Sequence, residues 1–365
     1  MLLDFFPSRT LTIYLARLFI TRTLGVLFLL VLILQMLDLL SESGKILAYP
    51  GNGEAELWHY VSLRTPQLIA RFLPYSVLLA SLFTFWPLNQ HSEVIAMRAA
   101  GLSAHQILAP LLVTAGLVSL VSFAFNERVV TRASATLKSW EAAQWGPVPK
   151  DSGTRNNVYF RDGPHILAAA AVTGSGAATR MEDVTWSRRD ARGMVLGQVR
   201  APLATWANPG WKLDNPRGFD VAATKQTPLA PMIVAPGVSP AQVAISKVDP
   251  DRQNIFELRH SIAALKASGR RTIELEAKWW HKISGPLSAL LMPLLGSVAA
   301  FGLARSGQLL VRAVIGMALG FAYFVVDNAA LAMGNFGGYP PLIAAWAPFF
   351  LFALVGETVL VRTEE

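Results

Sequence analysis

The chain reads as an α-helical integral membrane protein, six transmembrane helices in a 3+3 arrangement with an inserted all-β domain. Three observations predict this. Six long apolar stretches fall into two groups of three, and each approaches the roughly 20 predominantly apolar residues that crossing a bilayer takes. Between the groups, from about 126 to about 278, the chain is too polar to lie in lipid and too long for a simple connection, so it is expected to fold on one side of the membrane. Charged residues make up only 15% of the chain and hydrophobic residues 53%, where a soluble domain carries roughly 25% charged residues.

The spans are expected at 24–40, 66–88, 107–125, 283–303, 309–333 and 341–360. Segment 11–23 is apolar but carries Arg17 and Arg22, and reads as an interfacial entry to the first helix. A cleaved signal peptide is the competing reading. It needs a small-x-small site after an apolar core of about 7–15 residues, and the sequence offers neither. Basic residues orient the spans. Arg9, Arg17 and Arg22 precede the first, Arg98 lies in the second connection, Arg305 and Arg312 in the fourth, and Arg362 follows the last. The first connection sets Lys45 against Glu42, Glu54 and Glu56, and the fifth carries no charge. Both termini are therefore expected to be cytoplasmic and the inserted domain outside, in the periplasm of a bacterium.

With no Cys, the chain has no disulfide, thiolate nucleophile or Cys-based metal site. Its net charge of +8 is not a nucleic-acid footprint, because between Trp140 and Asn254 there are 13 Lys/Arg against 10 Asp/Glu. The excess sits around the membrane segments, where it relates to topology and lipid head groups. The division expected is 1–139 for the first three spans, 140–254 for the β domain, 255–278 for a connecting helix and linker, and 279–365 for the last three spans. Alternation at 158–161, 184–187, 195–199 and 211–213, with turn chemistry at 161–164, 189–193 and 208–210, predicts short antiparallel strands in a sandwich or roll. Asn254 is placed to cap a helix running to about Ser268, with Phe256, Ile262 and Leu265 on one face and Gly269 as its stop.

Several charges have no topological reason to be where they are. Arg64 and Arg71 are seven residues apart on the second span with Gln67 between them, so all three share a face. Arg128, Arg132 and Lys138 follow the third span, and Lys278 and Lys282, flanking His281, open the fourth. Each alone reads as a snorkelling side chain or the partner of Glu127, Glu274 or Glu276. Together they form a cationic collar at one depth, suited to an amphiphile with anionic head groups. Asp38, Asp327 and Glu357 are the acids in or beside spans, where ionisable groups usually face a partner or a cavity. Asp38 is placed to pair with the collar, and Glu357 to snorkel.

The second connection, 92–103, predicts a short helix stopped by Gly101. From composition, an ordinary joining helix and a helix that docks a cytoplasmic motor read alike; in the second case Glu93, Met97 and Arg98 are the coupling residues.

These segments carry a resemblance. The Tyr14-Leu15-Ala16-Arg17 entry, Asp38 with Gly44, Phe72-Leu73-Pro74, segment 92–103, Asn126-Glu127, Trp280-His281-Lys282-Ile283 with Pro286, and Asp327 run in the order of the lipopolysaccharide export permease family, LptF/LptG (YjgP/YjgQ). The Asp38 context and the fourth-span entry look more like its LptG branch. The resemblance implies six transmembrane helices and a periplasmic β-jellyroll. It implies a heterodimer with an LptF-type paralogue, two copies of an LptB-type cytoplasmic ATPase, and delivery of lipopolysaccharide to LptC/LptA-type bridge proteins. By motif, Glu93 falls on the acid that contacts the ATPase, and Lys138 and Asp38 on charged positions lining the lipid cavity. The chain departs from the family where a Lys pair after the first span is Ser41-Glu42 and a Lys of the second span is Gln67. Arg64 and Arg71 are placed to supply that charge.

No Gly-x-x-x-x-Gly-Lys-Ser/Thr loop occurs, so the chain itself has no evident ATP site, needs no cofactor of its own and must draw energy from a partner. A membrane hydrolase is disfavoured by six scattered His and the lack of a Gly-x-Ser-x-Gly elbow. The alternative reading is a mechanotransmitter or sensor that shares the coupling helix but has no use for a cationic collar.

Overall fold

The computed structural model describes residues 6–147, 155–174, 176–190, 193–220, 225–240, 243, 248–267, 270–297 and 309–362. The chain divides into two compact units: Met1–Gly146 with Pro250–Arg259 and Arg271–Glu365, and Pro147–Asp249 with His260–Arg270.

The first unit is helical. Its α1 (Arg9–Leu47) begins where Ser8 Oγ accepts the Leu11 N–H at 3.4 Å. The expected interfacial entry and first span are thus one helix of 39 residues, about 58 Å long at 1.5 Å per residue and so longer than the hydrocarbon core. α2 (Glu54–Gln90) follows, with Pro66, Pro74 and Pro87 inside it, then the short α3 (Glu93–Ala99). Ser103 and Gln106 cap α4 (Ala104–Phe125) reciprocally. α4 continues through a π-helical turn, Asn126–Val130, into α5 (Thr131–Ala142), so the third span runs on well past its apolar stretch. After the sheet come α6 (Ile255–Ala267), whose residues from His260 on belong to the second unit, and then α7 (Ile273–Gly296), α8 (Leu309–Asn335) and α9 (Pro341–Arg362).

Among the described residues, five stretches are long and apolar enough to cross a bilayer: α1, α2, the rod from Ala104 to Ala142, α8 from Ala313 and α9. α7 corresponds to the expected fourth span. Its first turns carry Glu274, Glu276, Lys278, His281 and Lys282, and it turns apolar at Ile283; the expected end of the span, 298–303, lies outside the described residues.

The core of this unit joins Phe19 of α1, Leu78 and Phe85 of α2, Leu108 and Leu111 of α4, Met292 and Leu295 of α7, Tyr323 of α8 and Phe352 of α9. By contrast Phe28, Leu32, Met36 and Leu40 of α1 are exposed, which suits a surface facing lipid or another subunit. Where α8 packs on α2 a glycine stands against Leu78. A Cβ on Gly320 would lie 2.2 Å from Leu78 Cδ2, and Leu78 is itself only 1% exposed and has no room to retreat. Gly320→Val is expected to cost about 1–3 kcal/mol through overpacking; an unchanged melting temperature of the detergent-solubilised protein would contradict this packing.

Among its described residues the second unit holds an antiparallel sheet of eight strands: β1 (Arg155–Asp162), β2 (His165–Thr173), β3 (Arg180–Arg189), β4 (Val195–Ala207), β5 (Gly210–Asp214), β6 (Arg217–Asp220), β7 (Lys225–Pro228) and β8 (Met232–Val234). Strands β1 to β5 pair in sequence and β8 adds to β5. The long β4 shares one edge between two partners, β6 along Gly197–Arg200 and β5 along Leu203–Ala207. The four expected strands fall within β1, β3, β4 and β5. β2 has no visible alternation because its inward and outward positions include four consecutive alanines, Ala168–Ala171. Burial follows the two-residue period except at one level, where it steps by three in neighbouring strands: Ala169 and Val172, Val184 and Met181, Ala201 and Ala204. Asp183 takes φ of +46° at this level, a conformation Asp tolerates better than most residues, and the inward face shifts by one residue across all three strands. Trp211 anchors the core, fully buried, with Nε1 donating to the Val238 carbonyl at 2.7 Å. Gly210 leaves space for the β8 backbone, since a Cβ there would sit 2.6 Å from Val234 O.

Candidate functional site

Within the helical unit, α2, the end of α4, the π turn, α5, α7 and α8 surround a cavity of about 470 Å³. Helical spacing sets its lining. On α2, Gln67, Arg71 and Pro74 recur every three to four residues and so face it together; on α7, Lys278, His281, Lys282 and Gly285 do the same. Lys138 enters from α5 and Asp251 from the segment before α6, while Tyr75 and Phe324, stacked at 3.8 Å between ring centroids, form an apolar wall. The cavity therefore offers four cations, Arg71, Lys138, Lys278 and Lys282, above aromatic and aliphatic surface.

The pairing of these cations separates them. Lys282 Nζ lies 3.3 Å from Glu127 Oε1, and both side chains are only 11% exposed. The other Glu127 oxygen accepts the N–H of Ile255, the first residue of α6. One carboxylate on the π turn thus ties the third span to α6 and α7, and π turns of this kind recur at functional positions. Lys138 bonds Asp251 at 3.3 Å, and His281 Nε2 meets Asp327 Oδ2 at 2.9 Å. Arg71 and Lys278 have no ion-pair or hydrogen-bond partner among the described residues. They are the uncompensated charge of the cavity.

Other members of the expected collar lie elsewhere. Arg64 does not join Arg71. Its Nε and Nη2 each reach an oxygen of Asp38 at 3.0 Å, and Nη1 donates to Gln67 at 2.8 Å. Tyr60 donates its hydroxyl to the same Asp38 carboxylate. This bidentate pair lines a second cavity of about 360 Å³ with Glu42, Lys45, Glu141 and Trp145, and Lys45 is paired with Glu42 at 2.8 Å. Asp38 is thus matched by an Arg, as expected, but that Arg has little charge left for an anion. Arg128 and Arg132 project outward from the π turn and α5, exposed, and line neither cavity. Glu357, expected to snorkel, meets His105 Nε2 at 2.7 Å. Sequence reasoning overlooked Asp251 and Tyr60; helical spacing from Arg64 gives a cue to Tyr60, whereas Asp251 has none.

In α3, between the positive-φ residues Ser92 and Gly101, Val94 and Met97 are buried in the helical core. Glu93 accepts a hydrogen bond from Tyr14 Oη of α1 at 3.3 Å. Ile95 is 48% exposed and Arg98 is exposed, so the outward face of α3 consists of Ile95, Ala96, Arg98 and Ala99, with the half-buried Glu93 at its edge and Met97 supporting it from beneath.

The family model for the lipopolysaccharide export system permease LptF/LptG matches residues 13–362. The chain belongs to this family. It is 25% identical to the lipopolysaccharide export system permease protein LptG of Escherichia coli (strain K12), over 98% of this chain and 99% of that protein. It is 23% identical to the LptG of Haemophilus influenzae, over 86% of this chain and 89% of that protein. The match takes in the span helices, the central sheet and α3 together, so the cavity and the α3 face belong to a lipopolysaccharide export permease.

Proposed function

We propose that the chain is the LptG-type subunit of a transporter that extracts lipopolysaccharide from the inner membrane and passes it to a periplasmic bridge. In this reading it has six spans, both termini are cytoplasmic, the sheet unit is a periplasmic jellyroll, and an LptF-type paralogue completes the permease. Two LptB-type ATPases bind and hydrolyse the ATP, and LptC/LptA-type proteins receive the lipid. The observation that carries the reading is the cavity with two unpaired cations over an aromatic wall, inside a bundle of bilayer-length helices. An anionic amphiphile matches both halves of it. Affinity purification of the chain from its native membrane tests the assembly: a six-span paralogue, a small ATPase and bound lipopolysaccharide should co-purify, and recovery of none of the three would overturn it.

Force from the motor is assigned to the outward face of α3. Glu93→Ala is expected to abolish most ATP-dependent lipid release from liposomes, because it removes both the motor contact and the Tyr14 bond. Tyr14→Phe removes only the bond and should keep release within about twofold, as one exposed hydrogen bond contributes about 1 kcal/mol or less. Full release by Glu93→Ala with normal motor binding would end the coupling role.

A further inference from the structure

The sheet unit carries a feature that the membrane cavity does not explain. Arg200 of β4 and Arg217 of β6 are direct cross-strand neighbours in the antiparallel ladder. Two like charges in this register repel and destabilise the pair, yet neither guanidinium has a side-chain hydrogen bond or an ion pair with any described residue. Both are exposed, on the face opposite the buried Val199 and Ala201. The next row of the same face places Gln198, Phe219 and Gln226 side by side across β4, β6 and β7. These five side chains line a cavity of about 250 Å³. That is smaller than the roughly 300–1,000 Å³ of pockets for drug-sized ligands, and matches a single head-group fragment.

We propose that Arg200 and Arg217 form a binding site for a phosphoryl group. Two guanidinium groups side by side present parallel forks of N–H donors, the geometry that fits phosphate oxygens. Gln198 and Gln226 add amide donors, and Phe219 supplies an apolar face for the ring of a phosphorylated sugar. A bound dianion removes the repulsion the ladder otherwise carries, so binding and stability are linked. The site lies in the sheet unit and is independent of the membrane cavity, and its failure would leave the permease reading intact.

The test uses the full chain in detergent micelles, with inorganic phosphate and glucosamine 1-phosphate as probes and binding followed by ³¹P NMR and by melting temperature. Phosphate is expected to raise the melting temperature of the unaltered chain. Arg200→Gln and Arg217→Gln should each weaken binding at least tenfold and abolish the rise, while melting no lower than the unaltered chain without phosphate. Arg132→Gln, which lines neither cavity of the helical unit, should retain the response. If glucosamine 1-phosphate binds tenfold tighter than phosphate, a sugar phosphate such as a glycolipid head group is the ligand; equal affinity makes it free phosphate. Retention of phosphate binding in both Arg variants overturns the proposal, as does the lack of any phosphate effect on the unaltered chain.

Discussion

Glu127→Ala is expected to destabilise the helical unit by about 3–5 kcal/mol, the usual cost of stranding one member of a buried ion pair. Lys282 and Glu127 are each only 11% exposed, so an ammonium left alone there has little water to turn to. The same substitution frees the Ile255 N–H and loosens the start of α6. Replacing both partners, Glu127→Leu with Lys282→Met, should recover part of the loss, since an apolar pair of similar volume leaves no charge stranded while the Ile255 N–H stays unbonded. Thermal unfolding of the purified complex reads both. Equal losses in the single and double variants would mean that Glu127 acts through something other than Lys282.

The second large effect concerns the lipid. Arg71→Gln with Lys278→Gln removes the two cavity cations that no acid among the described residues pairs with. A hydrogen bond to a charged group contributes about 1.5–3 kcal/mol, so the double variant should bind lipopolysaccharide weaker by on the order of a hundredfold, at about 1.4 kcal/mol per tenfold. Lys138→Gln should cost less, because its charge is already shared with Asp251. Arg132→Gln, outside the cavity, should bind within about twofold of the unaltered chain. Lipid-stimulated ATP hydrolysis by the assembled transporter should follow the same order. A sensor that transmits without carrying lipid would show no such ranking.

The sequence made the layout legible because bilayer crossing and strand alternation leave strong periodic signals: apolar runs near 20 residues and the alternation of β1, β3, β4 and β5. β2 escaped because alanine carries almost no contrast between faces, and β6 to β8 because three or four residues are too short to show a period. Helical spacing put Arg64, Gln67 and Arg71 on one face, and Arg64 does bond Gln67 there. Spacing does not tell that the rest of the Arg64 fork turns to Asp38 on α1 and leaves Arg71 alone in the cavity. Which cations stay unpaired depends on contacts across more than a hundred residues, Lys138 to Asp251 and Lys282 to Glu127, and no local pattern encodes those. Met97 shows the same limit: its position in 92–103 suggested a docking residue, while packing turns it into the core.

The central claim is that the cavity between α2, α5, α7 and α8 holds lipopolysaccharide. A photo-crosslinking residue at position 70, where Ala70 lines the cavity beside Arg71, tests it directly in the assembled transporter. The account predicts a lipopolysaccharide adduct at position 70 that fades when ATP is hydrolysed, and little at position 132, where Arg132 points away from the cavity. An adduct at 132 with none at 70 would contradict it.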